Sequence, residues 1–118
     1  MNKPLDPRRG EIWLVDLEPT RGSEIQKARL AVVLSTNTIQ ALQVRVVVPL
    51  TGWQDHFAST PWKVRIEPES RNALTKPSAA DGLQLRCLSL ERFSERRGSL
   101  SKSQVEEIIA AINYCLEE

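Results

Sequence analysis

What most constrains this chain is the brevity of its apolar runs. The longest, Leu30 to Leu34 and Ile108 to Ile112, are five residues each, against about 20 for a membrane-crossing helix. Proline or charge stops most of the others. Glu11-Ile12-Trp13-Leu14-Val15-Asp16-Leu17 is β-rich and roughly alternating, and ends at Glu18-Pro19, where proline cannot extend a central ladder. Ala28 to Ser35 and Val44 to Leu50 are dense in β-branched residues, as strands buried on a pleated surface are. Trp62-Lys63-Val64-Arg65-Ile66-Glu67 alternates cleanly before Pro68, the pattern of a half-exposed antiparallel strand. Leu83 to Leu88, after the turn signal Asp81-Gly82, is a fifth strand. Beyond it, Ser101 with Gln104, and Ser103 with Glu106, offer capping boxes. Val105, Ile108, Ile109, Ile112, Cys115 and Leu116 then recur at helical spacing. Five strands and one helix predict a mainly β protein with α (α+β), a small and strongly curved antiparallel sheet or barrel carrying a C-terminal helix.

At 118 residues one core is the natural expectation, a single domain over 1–118. The segment Met1 to Arg9 is positive but has no apolar stretch, so a cytoplasmic address is expected rather than export, and no membrane partner. Cys87 and Cys115 are too few for a disulfide framework and lack metal-ligand spacing; both are expected to be buried, reduced thiols. With His56 the sole histidine, a two-histidine acid–base pair is excluded and most zinc chemistry with it; neither a metal nor a cofactor is expected. The formal charge of +1 hides a gradient, with +2 over residues 19–29, +3 over 86–102 and −4 over 103–118. If the two positive segments meet, they form a basic surface able to hold phosphates.

Between the first two strands lies Thr20-Arg21-Gly22-Ser23-Glu24-Ile25-Gln26-Lys27, longer than an ordinary hairpin loop. Arg9-Gly10-Glu11-Ile12-Trp13 through Pro19-Thr20-Arg21-Gly22-Ser23-Glu24, then Arg29 and Val32-Val33-Leu34-Ser35, resembles the opening of the MazF/PemK family of toxin endoribonucleases. The resemblance continues at Val48-Pro49-Leu50-Thr51 and at Gln84-Leu85-Arg86. It implies an SH3-like barrel and a homodimeric ribonuclease that cuts single-stranded RNA at a short sequence without a metal and is neutralised by a partner antitoxin. It further implies Arg29 and Thr51 as the catalytic pair, and for Glu24 a proton-transfer role. Two departures stand out. Leu30 replaces the proline that commonly follows the arginine, and Leu83 precedes Gln84 where many members carry an acid, with Asp81 two positions away.

Those residue types suit the chemistry. Without a metal, the 2′-OH attacks phosphorus in line, giving a 2′,3′-cyclic phosphate and a 5′-OH. The permanently charged, planar Arg29 fork can compensate the growing charge on the phosphate oxygens. Thr51 can donate its hydroxyl, and Glu24 can accept the 2′-OH proton. Each also has a plainer role: Arg29 pairing Glu24 at the surface, Thr51 bonding backbone, Glu24 a solvated carboxylate. Trp13 and Trp62 sit in strand patterns as packing residues, whereas Trp53 and Phe57, in a loop after Thr51, are placed to stack an unpaired base. The remaining RNA-binding candidates are Thr20, Arg21, Gly22, Ser23, Gln26 and Lys27 in the loop, with Gln84 and Arg86 beyond it. Two rival functions are a related-fold toxin acting on DNA gyrase by protein contact and a non-catalytic barrel for single-stranded nucleic acid.

Overall fold

In the computed structural model, which describes residues 5–117, the three longest β-rich runs become adjacent strands: β1 (Glu11–Asp16), β2 (Ala28–Val33) and β3 (Val44–Gly52). Their antiparallel register opposes Trp13 to Ala31 and Ala31 to Pro49. Period-two alternation sends Ile12, Val32, Val48 and Leu50 to one core and Trp13, Val15, Ala31, Val33 and Val47 to another on the opposite face. A sheet covered on both faces explains why the β2 and β3 runs are largely apolar rather than alternating. Burying each such side chain contributes about 1.5–3 kcal/mol.

The remaining strands are β4 (Lys63–Ile66), β5 (Ser78–Asp81), β6 (Arg86–Ser89) and β7 (Phe93–Ser99). The order is β4-β5-β3-β2-β1-β7, with β6 also on β3. All pairings are antiparallel, as expected, but the ladder does not close: β4 and β7 are its edges. The first half of β3 pairs β6 and its last three residues pair β5. Between those partners the chain makes a 3-10 turn, Gly82–Gln84, so the expected fifth strand begins only at Arg86. Trp13 packs edge-on against Phe93 at 5.9 Å between ring centroids, a core residue as expected.

Helix α1 (Lys102–Leu116) starts where the capping box predicts: the Ser101 hydroxyl accepts from Gln104 N at 3.2 Å and Ser101 N donates to the Gln104 side chain at 2.9 Å. Val105, Ile108 and Ile112 pack on the first core. No described helix is long and apolar enough to cross a membrane. Both cysteines are free thiols, but the expected burial is wrong: Cys87 is exposed and Cys115 only half-buried. Cys87 alternates with buried Leu88 on β6, and Cys115 lies near the helix end, past the last buried turn.

Two buried polar residues hold the loops around this framework. Arg45, 2% exposed, donates to the carbonyls of Pro7, Gln40, Leu42 and Val44 and pairs with Asp6 at 3.0 Å. Asn72 accepts from Glu69 N and Leu74 N and donates to the Glu67 carbonyl, tying up the connection after β4.

Candidate active site

Arg29 and Thr51 lie at the same end of neighbouring strands. The register that opposes Ala31 to Pro49, carried outward by two residues on each strand, sets Arg29 across from Thr51 on one face of the sheet. At that level β3 has already turned to β5, with Thr51 opposite Ala79 and Gly52 opposite Ser78. The strands therefore part where these two side chains emerge. Two clefts open there: one of about 880 Å³, the other of about 430 Å³. Arg29, Thr51, Gly52 and Lys76 line both, and so form the saddle between them. Arg29 Nε donates to the Gln26 carbonyl at 3.2 Å, which fixes the base of the side chain.

The wall over the larger cleft is the 20–27 loop, held at both ends and in the middle. At its ends, Leu17 N donates to the Lys27 carbonyl at 3.1 Å and Lys27 N to Glu18 Oε1 at 2.8 Å. In the middle, Gln84 accepts from Ile25 N at 3.2 Å and donates to the Ser23 carbonyl at 3.3 Å. Ile25 packs down on the second core. Gly22, at φ +56°, supplies a left-handed turn that most residues disfavour. Glu24 closes the same turn, its carboxylate accepting from Arg21 N at 2.6 Å.

The opposite wall carries aromatic rings and cations. Trp53 and Phe57 meet edge-to-face at 5.7 Å and 89°. Phe57 is 8% exposed, with Lys63 Nζ 3.7 Å from its centroid. Trp53 is half-buried, with the Arg65 guanidinium 5.0 Å from its ring, and Arg65 also pairs with Glu67. Alternation along β4 puts Lys63 and Arg65 on the same face, as the sequence indicated. Four cationic side chains, Arg29, Lys63, Arg65 and Lys76, line the larger cleft against two carboxylates, Asp55 and Asp81. The Asp81 carboxylate accepts from Leu83 N at 3.1 Å. The cleft is a positively biased groove suited to a polyanion.

Of the residues singled out from the sequence, Ser23, Arg29, Thr51, Trp53, Phe57 and Gln84 converge on this cleft, whereas Thr20, Arg21, Gly22, Glu24, Gln26, Lys27 and Arg86 are not among its lining. Arg86 donates to the Leu17 carbonyl at 3.0 Å, bracing the end of β1. The two basic segments meet through Arg29 and Arg97, which share the smaller cleft. Most cations of the larger cleft come instead from residues 63–76, within a longer stretch, 30–85, whose sum of +1 hides them. Lys63 and Arg65 had a signal in their strand alternation; Lys76, ahead of β5, had none.

Residues 8–116 match the family model described as the PemK-like, MazF-like toxin of type II toxin–antitoxin systems. The endoribonuclease MazF9 of Mycobacterium tuberculosis is 32% identical over 117 residues, covering 93% of this chain and 96% of that protein. The crystal structure of MazF from Deinococcus radiodurans superposes with a TM-score of 0.79 at 18% identity, over 95% of this chain and 97% of that one. A mycobacterial endoribonuclease solved in complex with its cognate antitoxin gives a TM-score of 0.71 at 20% identity, over 93% and 94% of the two chains.

Proposed function

The chain belongs to the PemK-like, MazF-like toxin family of type II toxin–antitoxin systems and is a toxin-type endoribonuclease; from that premise we propose that it cuts single-stranded RNA at the saddle formed by Arg29 and Thr51, without a metal. The RNA backbone crosses the saddle, and the flanking nucleotides occupy the two clefts. The ribose 2′-oxygen bonds to phosphorus as the P–O5′ bond breaks. The 2′-OH proton passes to solvent, the 5′-oxygen takes one up, and the products are a 2′,3′-cyclic phosphate and a 5′-OH. Arg29 offsets the charge on the equatorial oxygens with donors already in position, and Thr51 gives its hydroxyl to the same phosphate or to the attacking oxygen. Glu24 serves here by closing the loop turn rather than by moving the proton, because its carboxylate is engaged with Arg21 N and faces neither cleft. Trp53 offers the stacking surface for a base, since Phe57 is buried beneath Lys63.

The observation that carries this proposal is the shared position of Arg29 and Thr51 between two clefts of net positive lining. An acidic, initially disordered segment of a cognate antitoxin is complementary to the same groove and would fold over it. The protein acts as a cytoplasmic homodimer. The test is a long single-stranded RNA incubated with wild type in EDTA. Cleavage with cyclic-phosphate ends is expected, falling by ~10²–10³ in Arg29→Ala and also in Thr51→Ala, with both variants folded. Cutting that requires a divalent ion, or full activity in Arg29→Ala, contradicts it. A gyrase cleavage complex formed in place of RNA cutting would favour the related-fold toxin.

A further inference from the structure

Lys76 enters neither the sequence motif nor the chemistry assigned so far, yet its position is unusual. Apart from Arg29 it is the one cationic side chain among the described residues lining both clefts. Backbone pairing accounts for that. Trp53 N donates to the Pro77 carbonyl at 3.1 Å and Gly52 opposes Ser78, so Lys76 arrives beside the strand end that carries Thr51. Of its neighbours among the cleft cations, Arg65 pairs with Glu67 and stands over Trp53, and Lys63 stands over Phe57 and lines only the larger cleft. Lys76 is exposed, with no carboxylate in ion-pair reach among the described residues.

We propose that Lys76 is a second catalytic cation, contacting the scissile phosphate from the side of the saddle opposite Arg29. The inference rests on the proposed RNA-cutting site. In-line attack converts a phosphodiester monoanion into a phosphorane bearing a second negative charge, and one guanidinium balances only one. A compact ammonium with three rotatable donors can follow the oxygens as they move from tetrahedral to equatorial positions, beside the planar fork of Arg29. Lining both clefts at the saddle they share, Lys76 meets the backbone phosphate whatever the bound sequence.

The test uses the full chain, a short RNA with one mapped cleavage site, and the same RNA with 2′-deoxyribose at that site as a non-cleavable probe. With RNA saturating, Lys76→Gln is expected to slow single-turnover cleavage about 10- to 100-fold. Lys76→Arg is expected to recover most of the rate, and both variants to melt with wild type. Affinity for the deoxy probe is expected to change far less than the rate, because the extra charge exists only in the transition state. A Lys76→Gln rate within about threefold of wild type overturns the assignment, and so does a loss confined to affinity. Wild type leaving the RNA intact would instead remove the parent proposal, which distinguishes the two failures.

Discussion

Two arginines sixteen positions apart in the chain show how placement decides what a guanidinium does. Arg45 spends its donors on four backbone carbonyls and on Asp6, inside the protein. Arg29 spends only Nε, on the Gln26 carbonyl, and is half-exposed between two clefts. Both follow a small or apolar residue in a β-rich run, so residue type and local pattern do not distinguish them; Arg29 is set apart by its motif, and nothing in the sequence sets Arg45 apart from an ordinary strand residue. The energetic consequences are opposite. Arg45→Met leaves the Pro7, Leu42 and Gln40 carbonyls without their donor where water has little access, and is expected to destabilise the protein by about 3 kcal/mol. Arg29→Met breaks one contact at the surface and is expected to cost less than about 1 kcal/mol while abolishing most cleavage. Paired urea titrations of the two variants check this; equal losses of stability would mean that Arg29 is a structural residue like Arg45.

At the scale of elements, the sequence revealed strands whose side chains follow period two or form dense β-branched runs, and it concealed two others. Strand β5 is Ser-Ala-Ala-Asp, buried throughout between β3 and β4. Small side chains fit that confined position and leave no β signature. Strand β7 is polar along its middle and pairs β1 with two register shifts, which erase alternation as bulges do. Missing β5 also concealed Lys76, because only the β3–β5 pairing brings it to Thr51. The candidate site was legible where chemistry and sequence neighbourhood coincide, at Arg29, Thr51 and Ser23, and in the alternation that marks Lys63 and Arg65 on β4, and illegible where the long-range pairing of β5 supplies it. Strand β7 contains a further element-level constraint. A Cβ on Gly98 would stand 2.7 Å from the Asn72 carbonyl carbon and oxygen and 2.8 Å from the Arg71 carbonyl oxygen. All are backbone atoms that cannot rotate away, and Arg71 O is held by Ser99 N at 2.9 Å. Gly98→Ala is therefore expected to push β7 off the 67–74 connection and lower stability by about 1–3 kcal/mol. A shifted urea midpoint with normal cleavage by the molecules still folded would support this; an unchanged midpoint would show that the connection gives way freely.

Over the whole molecule, a formal charge of +1 provides almost no net field to draw in a polyanion, so RNA affinity must come from local arrangement. The C-terminal residues 103–118 hold a net −4, with Glu106 and Glu107 exposed on α1, which packs on the first core, and neither of them lining either of the two clefts. The larger cleft collects Arg29, Lys63, Arg65 and Lys76. At 0.1 M salt, charges more than ~10 Å apart are largely screened, so the cations that share the cleft set its local potential and reinforce one another. Arg65 is compensated by Glu67, which leaves Arg29, Lys63 and Lys76 as the side chains able to neutralise phosphates. Single-stranded RNA releases counterions at ~0.7 per phosphate contact in a plot of log K against log salt. Three contacts give a slope of about −2. Binding of the 2′-deoxy probe, titrated across a range of salt, is expected to show that slope. A slope steeper than about −4 would require phosphate contacts well outside the cleft, extending the footprint to other basic residues. A flat response would mean that stacking and base contacts, rather than this cluster of cations, hold the strand.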